Sequence, residues 1–165
     1  MKIDKVIVGY LKENCYVLSI ENNCLVIDPG DEYEKIKKVI GNKRVVGTII
    51  THHHFDHVGA LNHFNNIYDY HNLKEGINRI ENFNFEVIYT PGHTNDSICI
   101  YFKDVNTMFV GDFIFKDAIG RTDLGGNMED MKKSLFKISK YDKNIDILTG
   151  HGDISKLGLE VNKWI

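Results

Sequence analysis

Thr51-His52-His53-His54-Phe55-Asp56-His57 sets imidazoles and a carboxylate at one-residue and two-residue steps, directly behind an apolar run at residues 45–51. On an extended chain, residues two apart face the same way, so His52, His54 and Asp56 converge while His53 and Phe55 point away. His57 then turns inward where a helix begins. Neutral imidazole and carboxylate in this spacing are the ligands of a metal ion. A histidine-rich tract can also be a surface accident or the remnant of an affinity tag, but a tag lies at a terminus, and this tract follows a buried strand and contains an aspartate. Three more candidates stand in the same kind of place: His93 behind Pro91-Gly92, Asp112 behind Gly111, and His151 between Gly150 and Gly152. Glycine beside a ligand lets the backbone turn sharply and come close to an ion. These seven residues are too many for one tetrahedral ion and suit two divalent ions that share a carboxylate. A donor set without thiolate favours zinc, although iron, manganese or a mixed pair use the same donors.

The elements that must deliver these residues are strands. Residues 45–51 form a nearly continuous β-branched run and read as an interior strand ending in the histidine cluster. Before it, residues 2–8, 15–20 and 24–28 read as short strands, with turn chemistry at Glu21-Asn22-Asn23 and a stop at Pro29-Gly30. Residues 32–40 place Ile36, Val39 and Ile40 at helical spacing under a lysine-rich face, and Gly41 ends that helix. Beyond the cluster come a short helix at 60–64 and strands at 67–70 and 83–89, the latter broken by Pro91-Gly92 just before His93. A hairpin of 98–102 and 107–110 about the turn 103–106 delivers Asp112. Asn127 is the expected N-cap of a helix at 128–139 with Met131, Leu135 and Ile138 on one face, and strand 145–149 feeds His151. Two sheets covered outside by helices suit this order, and a single mixed sheet fits the pattern as well.

The whole chain sets the setting for this chemistry. Its 165 residues suit one domain over 1–165, and 42% hydrophobic with 26% charged residues excludes disordered and fibrous classes. A net charge of -3 with no basic run gives no field to gather a phosphate backbone, so the expected partner is a small molecule and not nucleic acid; oligomeric state stays open. The apolar runs have strand length, far short of a membrane span. Lys2, Asp4, Lys5, Lys12 and Glu13 interrupt the first residues, unlike a secretory signal, so a cytoplasmic location is expected. Cys15, Cys24 and Cys99 are an odd number within apolar segments and read as buried thiols rather than a disulfide framework.

The run His52-x-His54-x-Asp56-His57, followed in order by His93, Asp112 and His151, resembles the metallo-β-lactamase fold. The likeness extends from Asp28-Pro29-Gly30 through Pro91-Gly92-His93-Thr94, Gly111-Asp112 and Gly120-Arg121-Thr122-Asp123 to Gly150-His151-Gly152. Within that superfamily the chain is most similar to small hydrolases related to glyoxalase II, thioesterases that act on lactoylglutathione and similar acyl thiols. The resemblance implies an α/β protein built as an αββα four-layer sandwich, with metals in the cleft at the edge of the two sheets. It further implies that His52, His54 and His93 hold one ion, that Asp56, His57 and His151 hold the other, and that Asp112 bridges them. Asp56 is in addition the expected catalytic residue, aiming a metal-bridging hydroxide. Many β-lactamases put a cysteine in the second site; no cysteine lies near these motifs, so antibiotic hydrolysis is not expected. Only 35 residues separate His57 from His93, and with 14 residues after His151 the C-terminal helical domain with which larger glyoxalases grip glutathione is not expected.

Other residues carry two readings each. Arg121 suits a substrate carboxylate, and equally an ion pair with Asp117 or Asp123. Asp28 suits an acceptor behind a ligand histidine, or a plain turn role. His53, His63 and His71 read as surface or hydrogen-bonded histidines. Rival functions are an iron-dependent persulfide dioxygenase, a lactonase or other ester hydrolase, and a non-catalytic binding module, the last disfavoured by a complete ligand set.

Overall fold

The computed structural model describes residues Met1–Ile165. Its first sheet grows from an antiparallel meander, β1 (Lys2–Val8), β2 (Glu13–Ile20) and β3 (Asn23–Ile27). Helix α1 (Tyr33–Ile40) carries the chain back over this sheet so that β4 (Arg44–Ile49) lies parallel to β3. A single helical turn, α2 (Phe55–Val58), and β5 (Ile67–Tyr68) complete the order β1-β2-β3-β4-β5. The second sheet follows from β6 (Gly76–Ile80), β7 (Phe83–Tyr89), β8 (Ile98–Phe102) and β9 (Thr107–Gly111), all antiparallel neighbours. A small hairpin, β10 (Ile114–Phe115) with β11 (Ala118–Ile119), precedes α3 (Met128–Ile138). Strand β12 (Asp146–Thr149) then runs parallel to β9, and β13 (Ser155–Lys156) and α4 (Leu157–Val161) close the chain.

Three apolar clusters fix how these pieces stack. Between the sheets lie Leu18, Leu25 and Ile27 from one side and Phe83, Phe85, Ile100 and Phe109 from the other. Ile36 and Ile40 of α1 cover the outer face of the first sheet over Val6, Val17 and Val26. Met131, Leu135 and Ile138 of α3, with Leu157 and Val161 of α4, cover the outer face of the second over Met108 and Ile147. Alternate residues of one strand therefore serve different layers, as Val17 and Leu18 do, which is the period of a sheet buried on both faces. The result is the αββα sandwich, not a single mixed sheet. Asn127 caps α3, its side chain accepting from the Asp130 amide.

The strand expected at 24–28 moves back by one residue, and the strand at 145–149 and the helix at 128–139 each lose one residue at an end. The strand at 15–20 starts at Glu13, the strand at 45–51 stops at Ile49, the helix at 60–64 is a 3-10 turn at Leu61–His63, and the strand expected at 67–70 is only β5. Strand β6, the β10–β11 hairpin, β13 and α4 lie outside the sequence expectation. No helix is long and apolar enough to cross a membrane.

Candidate metal centre

The C-terminal ends of β4, β7, β9 and β12 open on one edge of the sandwich, and the loops leaving them carry the histidines and aspartates. Backbone bonds lock these loops together: Ile98 donates to Thr51 at 2.9 Å, Gly150 to Gly111 at 2.8 Å, and Asn14 to Gly150 at 2.7 Å. Gly150 is required by contact. A Cβ there would sit 2.1 Å from Asp112 Oδ1 and 2.7 Å from His57 Cε1, so any side chain would displace both.

Ligand atoms of His52, His54 and His93 lie within 4.8 Å of one another, and so do those of Asp56, His57 and His151. His93 Nε2 is 2.9 Å from His54 Nδ1, and His151 Nε2 is 3.0 Å from Asp56 Oδ2. Asp112 faces both groups, with Oδ1 3.2 Å from His57 Nε2 and Oδ2 3.7 Å from His93 Nε2 and 3.6 Å from His151 Nε2. His52 Nε2, His57 Nε2 and Asp112 Oδ1 are buried without a hydrogen-bond partner. Leaving such groups unpaired costs about 1–3 kcal/mol each, so their gathering at one place fits the binding of cations.

Each histidine is oriented by its other nitrogen. His57 Nδ1 is 3.0 Å from Asp28 Oδ2, His93 Nδ1 is 2.7 Å from the Arg121 carbonyl, His54 Nε2 is 2.9 Å from the Leu124 carbonyl and His151 Nδ1 is 3.0 Å from the Leu11 carbonyl. His52 Nδ1 meets Thr51 Oγ1 at 3.1 Å, and Thr51 in turn donates from its amide and hydroxyl to Asp28. A hydrogen bond on one imidazole nitrogen leaves the other aimed at a metal and fixes the ring. Burial, with the neighbouring His57 adding to it, pushes the His52 imidazole well below its ordinary value, keeping it in the neutral form that ligates. Burial works against ionisation of Asp56, but the His151 hydrogen bond and the His57 charge outweigh it and hold the carboxyl below its usual range.

The residues singled out by sequence fall as follows. Asp28 lies behind His57 rather than in an open turn. Arg121 is exposed and forms two 2.7 Å bonds to Asp123, while Asp117 pairs with Lys163 instead. His53 lies between Asp69 and Asp96, His63 stacks on Tyr33, and His71 is exposed. Glu13 was not foreseen: it is 1% exposed, neither oxygen has a partner, and Oε1 lies 3.7 Å from His57 Nδ1. Burial, with the Asp28 charge adding to it, pushes its carboxyl up to about 10. Its one signal in the sequence is a charged residue opening a strand that is otherwise buried.

The profile of the metallo-beta-lactamase superfamily matches residues 8–80 and 72–151. The probable metallo-hydrolase YqgX of Bacillus subtilis is 31% identical over 92% of this chain and 90% of its own length. The hydroxyacylglutathione hydrolase GloC of Haemophilus influenzae is 29% identical over 203 residues, covering 97% of this chain and 95% of its own. Among solved structures, the B3 metallo-beta-lactamase BLEG-1 superposes with a TM-score of 0.87 at 25% identity, over 95% of each chain. The di-iron-bound form of TTHA1623 superposes with a TM-score of 0.84 at 26% identity, over 94% of this chain and 96% of that one.

Proposed function

The chain belongs to the metallo-beta-lactamase superfamily, and from that premise we propose that it is a dinuclear metal-dependent hydrolase of the glyoxalase II type, cleaving thioesters of small acyl thiols. The observation that carries this reading is the position of Asp112, whose carboxylate faces both groups of ligands while its Oδ1 and the Nε2 atoms of His52 and His57 lie buried and unpaired. In it, His52, His54 and His93 would hold one ion and Asp56, His57 and His151 the other, with Asp112 placed to serve both. The similarity to GloC, named a hydroxyacylglutathione hydrolase, supports the thioester.

Divalent cations bound there would supply a hydroxide nucleophile at neutral pH and polarise a carbonyl oxygen. The protein's own part falls first to Asp56. It is half-buried and ionised, and beyond its role as ligand its carboxylate accepts the hydrogen bond of the attacking oxygen and aims the lone pair at the carbonyl. The carbonyl acceptors at Leu11, Arg121 and Leu124 keep the imidazoles from rotating as charge develops. A thiolate leaves without protonation because a thiol has a pKa of about 8.5, so no separate general acid is required. Arg121, its guanidinium paired with Asp123, contributes its backbone carbonyl to His93. Nitrogen and carboxylate donors suit zinc; the likeness to a di-iron structure supports iron as the other occupant. Three buried, unpaired cysteines fit a reducing compartment, so the cytoplasm is the proposed site of action.

The test is hydrolysis of lactoyl thioesters, followed at the thioester absorbance, by protein purified without chelators. Turnover that chelation abolishes and zinc restores is expected. Oxygen uptake with a persulfide and no thioester cleavage would replace the hydrolase with a dioxygenase.

A further inference from the structure

We propose that a pocket flanking the metal centre selects a substrate arm that is apolar and carries no negative charge, which disfavours glutathione as the thiol. This rests on the thioesterase reading and names its substrate class. The pocket, about 470 Å³, is lined by Val8, Tyr10, Leu11, Phe55, Asp31 and Asp56 together with three glycines. Asp56 belongs to the ligand group of His57 and His151 and is also part of the lining, so the pocket borders that half of the centre. Its loop is tied there as well, since the Leu11 carbonyl meets His151 Nδ1 at 3.0 Å.

Tyr10 is 96% exposed, Phe55 76% and Leu11 47%, three large apolar side chains around one concavity beside reactive groups. Such a surface gains by covering itself with an apolar ligand. Its charge is one-sided. The ionisable residues of the lining are Asp31 and Asp56, and no lysine, arginine or histidine joins them. Asp31 is held in place beneath the loop, its Oδ1 accepting from the Glu32 amide at 2.6 Å while its side chain lies under Gly9. The Gly9 amide donates to Glu32 Oε2 at 2.9 Å, bringing a further carboxylate to the rim. Neighbouring cations are engaged elsewhere or turned away: Lys35 pairs with Glu32, Arg121 with Asp123, Lys116 with Asp153, and Lys12 follows Leu11 without lining the pocket. Asp56 would be engaged as a metal ligand, whereas Asp31 stands outside both ligand groups. A carboxylate-bearing arm such as that of glutathione would meet like charge with no cation to receive it.

Binding of thioethers, which the enzyme cannot cleave, tests this independently of turnover. Calorimetry of the metal-loaded protein would compare S-benzylglutathione with the S-benzyl ether of uncharged N-acetylcysteamine. The uncharged ligand is expected to bind at least about tenfold more tightly, like-charge contact being costly in a partly enclosed site. Asp31→Lys should narrow or reverse that ratio, Asp31→Asn should narrow it less, and Phe55→Ala should weaken the uncharged ligand by about tenfold. Tighter binding of the glutathione derivative, no detectable binding of either, or a ratio that Asp31→Lys leaves unmoved would overturn the proposal. So would a concentration-dependent dimer, dissolved by Phe55→Ala, in which a second copy covers Tyr10 and Phe55. Failure of lactoyl thioester hydrolysis with the thioether preference intact would instead count against the reaction.

Discussion

At the scale of single residues, the proposed mechanism gives Asp56 two roles, ligand and orienting base, that substitution can separate. Asp56→Asn keeps an oxygen ligand near His151 but removes the charge that orients the attacking oxygen. Turnover should fall about 100-fold or more while metal content measured by elemental analysis stays near that of the wild type. Glu13 makes a prediction of opposite character. Its carboxyl, raised to about 10 by burial and by Asp28, favours the folded state fully below the unfolded carboxyl pKa, and that contribution is lost as pH rises toward the folded value. In chelated protein, denaturant midpoints from about pH 5 to about pH 9 should therefore fall less steeply for Glu13→Gln than for the wild type. The seven clustered residues could be picked from the sequence because side-chain chemistry, strand-end position and flanking glycines coincide at each of them. What holds them could not, because three of the five orienting acceptors are backbone carbonyls, at Leu11, Arg121 and Leu124, whose positions depend on distant loops. Arg121 shows the same limit: its sequence left ion pair and substrate contact equally open, and the partner of the ion pair, Asp123 and not Asp117, comes from the geometry.

Elements differ in how much of them can be read beforehand. The strands β2, β3, β4 and β8 are runs of buried β-branched and apolar residues, and α1 and α3 carry single apolar faces, so pattern and structure agree. Strand β6 leaves Ile77 82% exposed at a sheet edge, β10, β11 and β13 are two residues each, and α4 contains Gly158; none offers a period to detect. These short pieces are held by side chains instead. Glu160 accepts from the Asp117 amide at 2.8 Å, from Lys163 at 2.7 Å and from Ser155, joining α4 to the β10–β11 turn and to β13. Burial opposes its ionisation, but Lys163 and Ser155 outweigh it and hold the carboxyl below its ordinary value. That stabilisation is present above the unfolded carboxyl pKa and is lost as pH falls through the lowered one. Glu160→Gln should cost about 1–3 kcal/mol in chemical denaturation at neutral pH, and its deficit should close under acid conditions.

Over the whole molecule, the sandwich brings to one edge residues far apart in the chain, from His52 to His151, and metal binding ties those loops to one another. Chelation should therefore lower the thermal midpoint as well as stop turnover. The alignment with GloC runs over 203 residues against the 165 of this chain, and the superfamily profile matches in two stretches that overlap at 72–80. Sequence that the relative carries inside its length is thus missing here, in keeping with the 35 residues between His57 and His93. Two ions sharing Asp112 form the central claim. The measurement that reaches it most directly is elemental analysis of chelator-free wild type and Asp112→Ala, with lactoyl thioester turnover on the same samples. The account predicts about two divalent ions per chain in the active wild type, and both metal and activity lost together in the variant. One ion per chain in active wild type, or full activity with Asp112→Ala, would contradict it.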